Sequence, residues 1–251
     1  MTEPSEFGTV LARLLAHRAL GAGELAERAG VAADGLRAVL AGAHPGEEIL
    51  RRLAPALGFH TADLFILAGL DVPDDLAPLD AGANQWASDI VMDGVRLPTA
   101  GRHELLRFVR SLPQEDRPAP FAPDQYQPFS DSPGARIIRM AWYRNLRRSG
   151  LAHAMGIVTP TYLSTSTYGG IGADRQELTP RLVTDFAALL GFDAAELAVL
   201  SGVLMPEPPP PPTPKAVDAA ALLWAARSLS AAQAESVAGL ARSWRTEPRD
   251  E

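Results

Sequence analysis

Cysteine is absent from all 251 residues, which excludes disulfides, thiolate metal ligands and cysteine nucleophiles together. Lysine is nearly absent too: Lys215 stands alone, and arginine carries almost all the positive charge. Long apolar runs are missing. Even a strongly apolar stretch such as LFILAGL (64–70) falls far short of the roughly 20 residues that span a bilayer, so no membrane partner is expected. The N-terminal MTEPSEFG has no basic stretch leading into an apolar one, so no signal peptide is expected and the chain is expected to be cytoplasmic. Positive charge is in deficit as well. The formal net charge of −7 argues against wholesale polyanion binding, though only as an average over the surface.

Catalytic patterns are also lacking. The five histidines, His17, His44, His60, His103 and His153, are scattered and form no HExxH. No Gly-x-Ser-x-Gly or phosphate loop occurs, and GGIG (169–172) follows no strand. Asp74–Asp75 and Glu115–Asp116 sit in proline-containing turns and read as solvated loop charge. No enzyme, cofactor or metal is expected.

What the chain does contain is repetition. GFHTADLFILAGL (58–70) returns as GFDAAELAVLSGV (191–203), 133 positions later, and ILRRLAPAL (49–57) aligns with LVTDFAALL (182–190) at the same offset. Upstream, LAERAGVAADGLRAVLAG (25–42) faces LAHAMGIVTPTYLSTSTYG (151–169) at an offset of 126, pairing Leu25 with Leu151, Ala26 with Ala152, Gly30 with Gly156 and Val31 with Ile157. Seven extra residues are therefore expected after the third helix of the second copy, within GGIGADRQEL. Downstream, Pro73 matches Pro206. IVMDGVRL (90–97) then matches LLWAARSL (222–229), and LLRFVRS (105–111) matches VAGLARS (237–243), both at offset 132. The chain reads as a tandem duplication of 7–113 and 134–245, with each half expected to fold alone.

Apolar residues recur at three- and four-residue spacing throughout, as in Val10, Leu11, Leu14 and Leu15, or Ile49, Leu53 and Leu57, and nothing alternates with period two. The expected fold is all-α. Its segments are a helical unit at 7–72, a helical hairpin at 83–113, a Pro-rich linker at 114–133, a second unit at 134–205, a polyproline spacer at 206–215 and a second hairpin at 216–245. The spacer reads as stiff, with a PxxP ligand as the alternative. The hairpins carry apolar stripes that suit packing on each other, a homodimer or a partner protein.

In the first unit, a helix ending in LAERAGV is followed by a short turn and a second helix around Leu36 and Val39, with Gly42 after it. LAERAGVAADGLRAVLAG resembles the XRE/Cro-type helix-turn-helix of phage repressors and bacterial regulators, and LRRLAPALGFHTADLF resembles that domain's closing helices. The resemblance covers about 60 residues of the first unit and, more loosely, about 70 of the second. It implies two tandem five-helix repressor-like units, each followed by a hairpin, that bind double-stranded DNA near the nucleoid with the third helix in the major groove. On this resemblance Ala32, Ala33, Asp34, Gly35, Arg37 and Ala38 occupy the exposed face of the first reading helix, where only Arg37 could reach a guanine edge. Where the family opens its second helix with Ser and Gln, this copy has Gly21 and Ala22.

The second unit is richer in donors. Thr159 can cap a helix and Pro160 suits its first position, so a reading helix is expected to start there. Thr161, Ser164, Thr165 and Thr167 would then face DNA, with Tyr162 buried and its hydroxyl at the rim; STSTYGG as a polar helix end is the alternative. Residues 133–205 carry seven Arg against five acids, a formal +2, whereas residues 1–72 carry six against nine, a formal −3. Arg144, Arg147 and Arg148, with Arg139, concentrate in RMAWYRNLRR (139–148), and Arg175 and Arg181 flank the extended turn. These are the candidate phosphate contacts, and Trp142 and Tyr143 are candidates for stacking or for core. The expected function is a sequence-specific DNA-binding transcriptional regulator that reads mainly with its second unit. The alternative is a degenerate repressor fold serving as a protein-interaction module.

Overall fold

Helices form wherever the three- and four-residue apolar spacing persists. The computed structural model describes residues 6–121 and 131–246, and among these it has fourteen α-helices and no strand. Nine residues of the linker expected at 114–133, namely 122–130, lie outside the described residues. The first seven helices are α1 Glu6–His17, α2 Ala22–Ala29, α3 Ala33–Leu40, α4 Glu47–Leu57, α5 Thr61–Leu67, α6 Asn84–Gly94 and α7 Thr99–Ser111. The next seven are α8 Pro133–Trp142, α9 Arg148–Val158, α10 Thr165–Gly172, α11 Pro180–Leu190, α12 Ala194–Ser201, α13 Pro214–Ala226 and α14 Ala231–Thr246.

The two runs of helices are started differently. Ser132, Thr179, Asp193 and Thr213 each accept a backbone N–H at the start of α8, α11, α12 and α13, and a proline follows three of them as the first helical residue. In the earlier run α2, α3 and α4 begin after Gly21, Ala32 and Gly46 with no side-chain cap. There termination is the clearer signal: Gly30 and Gly58 take left-handed backbone (φ 63° and 72°), which lets the last turns of α2 and α4 close.

One core runs through both halves. It joins Leu11, Leu14, Leu50 and Leu53 of the first to Met140, Leu151, Phe186 and Leu190 of the second without interruption. Against the expectation that each half folds alone, each exposes apolar surface of this shared core if the other is removed. A smaller core holds the hairpins together inside the chain, with α6 on α14 and α7 on α13 around Ile90, Leu105, Leu222 and Val237. This four-helix layer rests on the second half, through α6 on α9 and α13 on α9 and α11.

The contacts across the middle come in reciprocal pairs: α1 packs on α12, and α5 packs on α8. At the end of α1, Arg18 donates from Nε and Nη2 to both Glu196 carboxylate oxygens at 2.6 Å, and from Nη1 to the Leu57 carbonyl at 2.8 Å. Just past the end of α8, Arg144 donates to both Asp63 oxygens at 2.9 and 2.7 Å, and to the Leu190 carbonyl at 2.9 Å. Arg18 and Arg144 are 126 apart, while Asp63 and Glu196, like Leu57 and Leu190, are 133 apart. Those are the offsets of the duplication. Each arginine is followed by a non-glycine residue in left-handed backbone, Ala19 (φ 50°) and Asn145 (φ 56°). Between the two clasps Phe59 meets Phe192, also 133 apart, with ring centroids at 5.3 Å. These paired contacts define a local pseudo-twofold axis within one chain, of the kind an isologous dimer has between chains.

A second equivalence places the third helix of each half. A Cβ on Gly8 would come within 2.3 Å of the Val39 carbonyl oxygen, and a Cβ on Gly134 would come within 2.8 Å of the Ile171 side chain and 3.0 Å of its carbonyl. Glycine thus lets α1 lie directly on the end of α3, and α8 on the end of α10. Because the obstacle at Gly8 is backbone, Gly8→Ala should lower the unfolding free energy by about 1–3 kcal/mol. A urea midpoint indistinguishable from wild type would count against this close approach.

Candidate nucleic-acid interface

The α2–α3 corner is short. Gly30 caps α2 in left-handed conformation, its N–H reaching the Glu27 carbonyl and the N–H of Val31 reaching that of Ala26. Three residues, 30–32, then separate α2 from α3. On α3, Leu36 and Val39 turn inward against α1 and α2, while Ala33, Asp34, Arg37 and Ala38, with Ala32 before them, are exposed. Arg37 pairs with Asp34 one turn back, both largely in solvent, so the pair is weak and can exchange for another anion.

The corresponding corner of the second half is built differently, which corrects the position of the extra residues. Gly156 matches Gly30 but stays inside α9, which continues to Val158. It ends because Thr159 precedes Pro160, and a residue before proline is driven to extended backbone, here φ −125° and ψ 165°. Pro160 stops one helix instead of starting the next. Six residues, 159–164, separate α9 from α10, against three in the first half, and only one further residue is gained after α10. The Gly8–Val39 and Gly134–Ile171 contacts agree with this shift of offset to 132 before the third helix.

The longer connection redirects several side chains expected to face DNA. Thr159 is buried, donating its hydroxyl to the Met155 carbonyl at 2.8 Å and accepting from Thr161 N–H. Thr161 is also buried and accepts from Arg181 Nε at 3.0 Å. Tyr162, expected in the core, is 70% exposed and lies across Gly156. Ser164 caps α10 by accepting the Thr167 N–H and sits with the Ser166 and Thr167 hydroxyls at 2.7 and 3.0 Å. Ser164, Thr165 and Ser166 are exposed, Thr167 is half-buried, and the rest of α10 turns into the core at Tyr168, Gly170 and Ile171.

The basic cluster divides in the same way. Arg144 is fully buried in its pair with Asp63 and has no access to phosphate, so its assignment as a DNA contact is corrected. Arg147 is half-buried over the Phe121 and Trp142 rings at 5.2 and 5.4 Å, which holds its cation against aromatic faces. Trp142 and Tyr143 are core. Arg148 and Arg175 are exposed. Sequence spacing alone does not single out Arg18, Arg144, Gly8 and Gly134 as the residues that orient the two corners. The signal that could have found the two arginines is the tripeptide RAL at 18–20 recurring as RNL at 144–146.

Beside the Arg144 pair, His60 stacks on Trp224 with centroids 3.4 Å apart and planes 5° from parallel. Burial holds the His60 pKa down at about 4, so the stack contains a neutral imidazole. Arg227 covers Trp224 as well, at 3.8 Å. Among the described residues no group of three or more His, Asp or Glu is placed to hold a metal, and no helix is long and apolar enough to cross a membrane. Compared with known proteins, the chain matches no family model, no curated protein and no solved structure.

Proposed function

We propose that this chain is a sequence-specific DNA-binding transcriptional regulator of XRE/Cro-like design, two repressor-like units fused in tandem; base reading, expected mainly of the second unit, passes to α3 because Thr159 and Thr161 of the second unit are buried. The observation that carries the reading is the compact α2–Gly30–α3 corner with the outer face of α3 exposed. Its small side chains permit close approach to a groove, alanine methyls suit thymine methyls, and Arg37 is the one long donor on that face. The second half contributes chiefly backbone contacts, through the exposed hydroxyls of Ser164 and Thr165 at the start of α10 and through Arg175. The reciprocal clasps support the reading, because an isologous pairing of two equivalent units is also how a dimeric repressor is put together.

A specific observation favours a second reading, a protein-interaction module. Cations around the first corner are matched by acids: Arg28 with Glu24, Arg52 with Glu48, and Arg51 with both Glu47 and Asp75. The Asp75 carboxyl is held below its ordinary range by the hydrogen bonds from Arg51.

Selection from a random duplex pool at low salt separates the two readings. Recovery of a discrete site is expected. On that site Arg37→Ala should reduce discrimination against a scrambled duplex by about 1–3 kcal/mol, whereas Arg175→Ala should weaken both duplexes alike and lessen the salt slope by about one. Failure to enrich any sequence would favour the interaction module.

A further inference from the structure

Trp224 is held from both sides. The His60 ring lies 3.4 Å from its ring centroid and the Arg227 guanidinium 3.8 Å from it, and groups that close fit only on opposite faces of an indole. What Trp224 offers its surroundings is therefore its edge, which carries the positive side of the ring quadrupole and the Nε1–H donor. Trp224 lines a cavity of about 420 Å³, a volume within the range of small-molecule sites.

The cavity lies between the end of α11 and α13. Leu190 and Phe192 close it on one side, Val217 and Ala221 on the other. Val217 is 53% exposed, so apolar surface that a ligand would cover stands in water. His60, just before α5, and Arg110, in the last turn of α7, complete the lining.

The polar groups of this lining are mostly donors with nothing to donate to. Arg110 is exposed and, among the described residues, has no ion pair or hydrogen bond. The His60 ring nitrogens and the Trp224 indole N–H also lack a partner among the described residues, and none of them is sealed from solvent. The neutral His60 imidazole keeps one N–H and adds no charge. Asp193, the one carboxylate in the lining, is engaged: its Oδ1 caps α12 by accepting the Glu196 N–H at 3.0 Å. An apolar cavity with a free guanidinium and unused N–H groups favours an anion on an apolar body.

We propose that this cavity is a binding site for a small aromatic carboxylate, its carboxylate held by Arg110 and its ring seated between Phe192 and Val217 against the Trp224 edge. The Trp224 and His60 N–H groups are the secondary donors. The site does not depend on DNA binding, and a titration without DNA tests it alone.

The test is calorimetric titration of the full chain with 4-phenylbutyrate, 4-phenyl-1-butanol and 4-phenylbutylamine, which share one body and differ in the charge of the head. The acid should saturate one site and bind at least about tenfold tighter than the alcohol, with the amine weakest. Added salt should weaken the acid and spare the alcohol. Arg110→Gln, at an exposed position, should bring the acid down to the affinity of the alcohol and leave the alcohol unchanged. Ala221→Leu, which fills the cavity, should weaken acid and alcohol alike while circular dichroism stays unchanged. Equal affinity for acid and alcohol in the wild-type chain overturns the proposal. So does a preference for the acid that survives Arg110→Gln, or binding untouched by Ala221→Leu. Tightest binding of the amine would give recognition to Asp193 and overturn it too, as would an absence of saturable binding.

Discussion

Arg144→Ala should lower the unfolding free energy by about 3–5 kcal/mol, because it strands Asp63 as an unpaired charge in the interior. Both side chains are fully shielded from solvent, and the arginine also holds the Leu190 and Met140 carbonyls. The asymmetry between breaking and replacing such a pair supplies the control. Arg144→Met with Asp63→Leu removes both charges and should recover much of the loss, since apolar replacements of buried pairs are often neutral or stabilising. Urea denaturation of the three proteins measures this directly. The partner clasp is more open, with side-chain exposures of 23% for Arg18 and 17% for Glu196, so Arg18→Ala should cost less than Arg144→Ala. If the two single substitutions cost the same small amount, Arg144 is not the buried keystone described above.

Neither half should fold by itself. A chain of residues 1–121, or one of 131–251, should show helical far-ultraviolet dichroism without a cooperative thermal transition, and co-expression of the two should restore one. The reason is the single core: the α1–α12 and α5–α8 contacts bury Leu11, Leu14, Phe65 and Ile66 in a core completed by Met140, Phe186 and Leu197. At about 25 cal/mol per Å² of apolar surface, exposing a helix-sized face exceeds the few kcal/mol by which a small domain is stable. A sharp melt of either isolated half would show that the seam is dispensable.

The helices themselves were legible, because burial repeats at helical spacing: Val10, Leu11, Leu14 and Leu15 lie inward as their period requires. The reciprocal clasps were not, because partners such as Arg144 and Asp63 are 81 residues apart and no local pattern joins them. Arg144 sits among Arg139, Arg147 and Arg148 in a stretch that reads as a solvent-facing basic cluster, and arginine is seldom buried. The position of the extra residues was misread for a different reason. Gly30 and Gly156 match by identity, but one is a left-handed cap and the other an ordinary helical residue, and that conformational difference leaves no trace in the letter G. Pro160 carries the same ambiguity, since proline both opens helices and forbids the residue before it from continuing one. On the candidate interface, Arg37, Ser164, Thr165 and Arg175 stay at the surface as their polarity suggests, while Thr159 and Thr161 are drawn in by the longer connection.

The paired clasps have a consequence for how this molecule can vary. Two separate subunits meeting across such a seam would come apart on dilution, and every substitution would strike both sides of it at once. Here the partners share one chain, so their encounter is set by tether length and not by protein concentration. Each substitution falls on one side only. Asp63 faces one arginine where Glu196 faces the other, Ala19 bends one corner where Asn145 bends its counterpart, and three additional residues lengthen one connection and spare its twin. Symmetry, once covalently locked, no longer has to be obeyed.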